Sequence, residues 1–185
     1  SASPTIKNST ISNNLGYAIS ASVDSFPVVS GNTFILNGGN GIEIREGTLS
    51  TTTPVAYHLS NTDTEYAVTG HLWINNGVTL IFDPGVIVKV AYDKVLVVRG
   101  VLKAQGTVSD PVIITSLKDD TAGGDTNGDG SASSPSPGDW GNIRFEDSSV
   151  DSESIIEYAI VRYGGLYDNG YNPNQYGGVR LESAS

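Results

Sequence analysis

The run Asp125-Thr126-Asn127-Gly128-Asp129-Gly130 sets oxygen-bearing side chains at alternate positions, with glycines free to close a tight turn. That spacing folds carboxylates and amides inward around a hard cation. Asp119 and Asp120 lie just upstream and Asp139 just downstream, so further ligands are at hand. The expected ion is calcium (Ca2+), bound by Asp125, Asn127 and Asp129, with Asp119, Asp120 and Asp139 as additional ligands. Its expected role is to staple this loop against the rest of the fold. An EF-hand does not fit, because the twelfth loop position is Ser136 where a bidentate Glu is needed. The plain alternative is a flexible acidic surface loop. Against it stands the electrostatic cost of gathering carboxylates without a cation.

Two other groups of residues could do chemistry. Arg144, Arg162 and Arg180 recur 18 residues apart, each between two apolar neighbours, with Glu146 and Glu182 two residues after the first and last. On stacked strands they are expected to form an outward column beside a column of opposite charge, a solvated ladder whose pairs are each worth little. Tyr163, Tyr167, Tyr171 and Tyr176 lie among Asn, Gln, Asp and Gly, where rings and amides suit a sugar. Tyrosines packed on the outside of a turn-rich excursion are the equal alternative. His58 and His71 stand apart with no second ligand at metal spacing. No residue is assigned a catalytic role.

The elements that must position these groups are short and repetitive. Pro4-Thr5-Ile6 is answered 23 residues later by Pro27-Val28-Val29, and Thr10-Ile11 by Thr33-Phe34. From Gly70 onward, apolar alternations of three to five residues end at Gly, Asn, Asp or Pro, and the whole set returns about once per 24 residues. This spacing predicts an all-β parallel β-helix (a β-solenoid) with three short strands per coil. Val86, Val88, Leu96, Val98, Leu102, Val112 and Ile114 should face inward. Asn-Gly pairs and the Asn8-Ser9-Thr10 stretch read as corners. An antiparallel sandwich is the competing architecture, weakened because the spacing repeats as whole coils. Residues 1–47 read as N-terminal coils, 48–65 as a connection, 66–117 as regular coils, 118–138 as an acidic Gly/Ser/Pro loop and 139–185 as C-terminal coils.

Composition narrows the partners. With 20 acidic against 10 basic residues the net charge is −10, so nucleic acid is not an expected partner. No Cys is present, which removes disulfides and Cys-zinc sites, and no apolar run is long enough for a membrane span. The chain has no Met and no leader-like start, which reads as a processed or excised piece.

The stretches PTIKNSTISNNLGYAIS, GVTLIFDPGVIVKV, VLVVRGVLKAQGTVSDPVIITS and DWGNIRFEDSSVDSESIIEYAIVRYGG resemble bacterial right-handed parallel β-helix repeat proteins of the pectate-lyase-like superfamily, especially the large exported and surface ones. They cover well over half the chain. The resemblance implies a right-handed helix and an extracellular or cell-surface location. Relatives of this kind use an outward Arg or Lys beside calcium-binding Asp residues to take a proton from an acidic sugar, but the fold hosts lyases, hydrolases, adhesins and inert stalks alike.

The ends suggest a function. Ser-Ala-Ser stands at residues 1–3 and again at 183–185, so the tail reads into the head as one more coil. We therefore expect one period of a longer array, a structural repeat unit of a fibre, stalk or surface array. Its edges, with Pro4, Ile6 and Ile11 at one end and Val179 and Leu181 at the other, would stack on a tandem or separate copy. A carbohydrate-binding module, and after it a polysaccharide lyase or hydrolase, are the alternatives. They would be told apart by glycan binding and by turnover of an acidic polysaccharide.

Overall fold

A computed structural model describes residues 2–51, 55–60, 64–166 and 177–183. Among these residues every regular element is a strand, and none is a helix long and apolar enough to cross a membrane. The first coil holds β1 (Thr5–Lys7), β2 (Thr10–Ser12) and β3 (Tyr17–Ala21), and the second β4 (Val28–Ser30), β5 (Thr33–Ile35) and β6 (Gly39–Ile44). The third holds β7 (Gly47–Leu49), β8 (Val55–Leu59) and β9 (Tyr66–Val68), and the fourth β10 (Leu72–Ile74), β11 (Val78–Phe82) and β12 (Ile87–Val90). Next come β13 (Leu96–Val98), β14 (Val101–Gln105) and β15 (Val112–Ser116), then β16 (Ile143–Phe145), β17 (Ile155–Glu157) and β18 (Ala159–Val161). β19 (Val179–Leu181) opens a seventh coil.

Each strand pairs in parallel with its counterpart one coil away, as in Leu72 with Leu96 and Val88 with Ile114. The chain is therefore the parallel β-solenoid that its spacing predicts, and the antiparallel sandwich is excluded. The first face is the sheet β7-β10-β13-β16-β19, the second β8-β11-β14-β17, and the third β3-β6-β9-β12-β15-β18. The third face runs unbroken through six coils. In the first two coils neither of the other two sheets has a strand, and two short pairs, β1-β4 and β2-β5, stand there instead.

Alternation decides what is inside. Stacked inward residues form columns such as Ile42, Tyr66, Val88, Ile114 and Val161, or Leu49, Ile74, Val98 and Phe145. All seven residues expected inside are buried, none above 1% exposure. Burying each such side chain contributes about 1.5–3 kcal/mol, and this stack is the core.

One boundary differs from expectation. Residues 48–65 do not form a mere connection, because β8 lies there and pairs with β11 along five residues. Its Thr- and Ser-rich surroundings obscure a short inward alternation of Val55, Tyr57 and Leu59. Corners follow the Asn reading. Asn8 turns with φ 51 and its N–H donates to Ser30 O at 3.1 Å. Asn14 Nδ2 donates to Asn37 Oδ1 at 2.8 Å, while Asn37 Nδ2 donates to Ile11 O at 2.9 Å, a ladder that joins two coils. Gly77 takes φ +80 as a corner should. Gly38 does not adopt positive φ. Its lack of a side chain serves close approach, since a Cβ there would lie 2.0 Å from Leu15 O.

Candidate functional site

Between β15 and β16 the chain leaves the coil stack and folds back along the outer surface of the third face. It touches coil four through Lys89 Nζ, which donates to Gly124 O. It touches coil three through Thr126 Oγ1, which donates to Glu65 Oε2 at 3.2 Å. It reaches coil two, where Asn40 N donates to Thr126 O at 2.9 Å and Gly128 lies against Asn37. The expected loop is thus a strap laid across three coils. Its glycines let the backbone run flat against the strands: a Cβ on Gly123 would meet Glu65 Oε1 at 2.0 Å.

The strap buries charge. Lys89 points outward from an alternating strand, yet it is fully buried beneath the strap. Burial lowers its pKa, and the charges of Glu65, Asp120, Asp119 and Asp125 oppose that shift. Burial likewise pushes the Glu65 carboxyl up, against Lys89 and the hydroxyls of Thr126 and Thr64. Nothing in the sequence marks Lys89, because an outward Lys is the ordinary occupant of such a position.

Of the six expected metal ligands, the structure brings together Asp120, Asp125 and Asp129, whose ligand oxygens all lie within 4.8 Å of one another. Calcium takes oxygen ligands at about 2.3–2.6 Å, so one ion can touch oxygens up to roughly 5 Å apart. The Asp125 carboxylate is oriented by the N–H groups of Asp129 and Gly130, at 3.1 and 2.9 Å. Asp120 Oδ1 and Asn127 Oδ1 are buried without a hydrogen-bond partner. Such orphaned acceptors are costly unless a donor or cation meets them. Burial and the neighbouring Asp125 charge push the Asp120 carboxyl up, with Lys89 pulling the other way. This donor set fits a hard cation.

Asp119 and Asp139 are elsewhere, a correction to the expected ligand set. Asp119 is fully buried and meets Arg162 at 2.6 Å, with further bonds from Thr115 and Thr121. Asp139 accepts from Lys118 Nζ at 2.9 Å, Ser116 Oγ at 2.8 Å and Ser136 N at 2.9 Å. Burial alone would raise both pKa values, but these donors and cations hold them below the usual carboxylate range. The two residues fasten the ends of the strap and leave the middle to Asp120, Asp125 and Asp129.

The arginine column also needs correction. Arg144 and Arg180 do stack in register on the first face, with Glu146 and Glu182 beside them. Arg99 extends the ladder, its Nε lying 2.7 Å from Glu146 Oε2. Arg162 belongs to another face. One coil separates Arg144 from Arg180, so a residue midway between them falls after β18, where it meets Asp119. Tyr163 is not an open platform. Its ring packs against the core beneath the Arg162 guanidinium, and its carbonyl accepts from Asp139 N at 3.0 Å. Tyr167, Tyr171 and Tyr176 lie outside the described residues.

The pectate-lyase-like beta helix domain matches residues 51–170, and the right-handed beta helix region matches residues 1–84. The chain belongs to the pectate-lyase-like β-helix family. Its coils are right-handed, as the resemblance implied. No curated protein and no solved structure gives a significant match.

A second feature of this β-helix lies on its last described coil. Val179 and Leu181 project beside Phe145, Ile155 and Ile156 around a shallow apolar hollow rimmed by Glu146, Asp147 and Asp151. On the first coil, Ile6 and Ile11 lie on the first strands and Pro4 O accepts from Val28 N at 2.9 Å.

Proposed function

We propose that this β-helix is a structural unit of a fibre, stalk or surface array outside the cell, stacking end to end through its coil edges. One observation carries the reading. The inward column Leu49, Ile74, Val98, Phe145 and Leu181 keeps its register through five coils and is apolar at every position. An inward column filled by apolar residues suits stacking on a further coil, whether that coil belongs to the same polypeptide or to another copy. Calcium held by Asp120, Asp125 and Asp129, with the Asn127 amide oxygen, belongs to the same proposal. It would bind the strap to the coils and stiffen the unit along its axis.

The test is the mass and shape of the chain in solution. Sedimentation should show concentration-dependent growth, and negative-stain microscopy should show rods with a regular axial repeat. Leu181→Lys, which places a charge in the inward column, should collapse the rods to single units. Isolated particles at every concentration would refute the proposal.

A further inference from the structure

Four Asn-Gly pairs lie among the described residues, and the fold treats them unequally; the pair at Asn169 lies outside them. In such a pair the glycine nitrogen, unshielded by any side chain of its own, can attack the asparagine carboxamide. The step needs a free N–H, an unengaged carboxamide and room to bring the two together. Three pairs lack these. Gly38 N donates to Asn14 O at 2.9 Å, and the amide of buried Asn37 is held at both ends by Asn14 and Ile11. Asn40 Oδ1 accepts from Asn37 N, and Asn40 sits with Gly41 inside β6, where Thr126 of the strap lies against Gly41. Asn127 Nδ2 donates to Asp129 at 2.9 Å and to Ser133 at 3.2 Å, and Gly128 is pressed against Asn37 and Gly38.

Asn76 and Gly77 meet all three needs. Both are exposed, at the corner between β10 and β11. Among the described residues, neither the Asn76 carboxamide nor the Gly77 N–H makes a hydrogen bond. A Cβ built on Gly77 would meet nothing nearer than Thr51 Cγ2 at 3.7 Å, so the approach is open. The turn is closed by Val78 N donating to Asn75 O at 3.1 Å, and exposed turns open locally at little cost.

We infer that Asn76 is a modification site, deamidating spontaneously through a cyclic imide with Gly77. The Gly77 nitrogen loses its proton and bonds to Asn76 Cγ; the carboxamide C–N bond breaks, and ammonia leaves with that proton. Water then opens the ring at either carbonyl, leaving Asp or isoAsp, and no oxidant or cofactor takes part. The new carboxylate enters a shallow cavity lined by Ser50, Thr51, Asn75 and Arg99, where Arg99 is the ionisable group and carries the opposite charge. The isoAsp product also lengthens the main chain by a methylene at a corner where Gly77 O accepts from Val55 N at 3.1 Å, and so loosens the join between the third and fourth coils.

The test is peptide mapping by mass spectrometry of the full chain, kept folded in mildly alkaline buffer and, in parallel, unfolded in urea. In the folded chain Asn76 should gain the deamidation mass as two isomeric products. Asn37, Asn40 and Asn127 should react at least about tenfold more slowly than they do in urea, because each must first open locally. Asn76→Ser should remove the early mass gain from the whole chain. Reaction at any of the other three pairs ahead of Asn76 would overturn the inference, as would a folded chain whose Asn76 stays intact while the urea sample reacts.

Discussion

Asp139→Ala tests whether the strap is held by its fastened ends. The substitution leaves the Ser116 hydroxyl, the Ser136 N–H and the Lys118 ammonium without their shared acceptor. Breaking a buried ion pair costs about 3–5 kcal/mol, but Lys118 keeps 37% of its side chain exposed and can turn to water. That discount brings the expected loss to about 2–3 kcal/mol. For a chain of this size each kcal/mol moves Tm by roughly 2–4 °C, so a fall of about 4–12 °C is expected. Buried Trp140 beside it reports the transition by fluorescence in urea. The pH dependence has a fixed sign. The folded carboxyl titrates below its unfolded value of about 3.9, so its contribution is present above that value and is lost as pH falls through the folded pKa. The deficit of the variant should hold at neutral pH and shrink in acid. A loss under about 0.5 kcal/mol, or a deficit that disappears on adding chelator at neutral pH, would refute the reasoning, the latter by making Asp139 a metal ligand after all.

The other expectations concern the strap centre and a strained corner. If calcium is bound, it should raise the melting temperature of the parent chain reversibly with chelator, and Asp125→Ala with Asp129→Ala should remove that rise; no rise in the parent would end the calcium proposal. Leu36 is 71% exposed at φ 55, while the equivalent corner one coil earlier is Asn13 at φ 59. A left-handed conformation costs an ordinary residue about 1–2 kcal/mol and Asn less. Leu36→Asn should therefore stabilise the chain by about 1 kcal/mol in urea unfolding, and a destabilised variant would show that Leu36 makes a contact worth more than its strain.

The sequence by itself determined the coil. Val78 and Leu80 alternate with Thr79, Val88 and Val90 with Lys89, and Leu102 and Ala104 with Lys103, and alternation is a local property that sends successive side chains to opposite faces whatever lies far away. Corner residues are equally local, since Asn8 and Gly77 answer to their own backbone angles. Only the tertiary structure decided how the strap lies. Its oxygens were legible as a ligand set, but which of them converge depends on contacts with Asn40, Glu65 and Lys89, which lie far back in the chain on three different coils. The same distance effect hid Lys89, outward by pattern yet sealed by a loop that follows it. It also misplaced Arg162, because a whole coil separates Arg144 from Arg180 and an 18-residue rhythm counts half of it. Periodicity fixes which way a side chain points; how far a loop travels, and onto which coil it settles, is decided by long-range packing that no local spacing records.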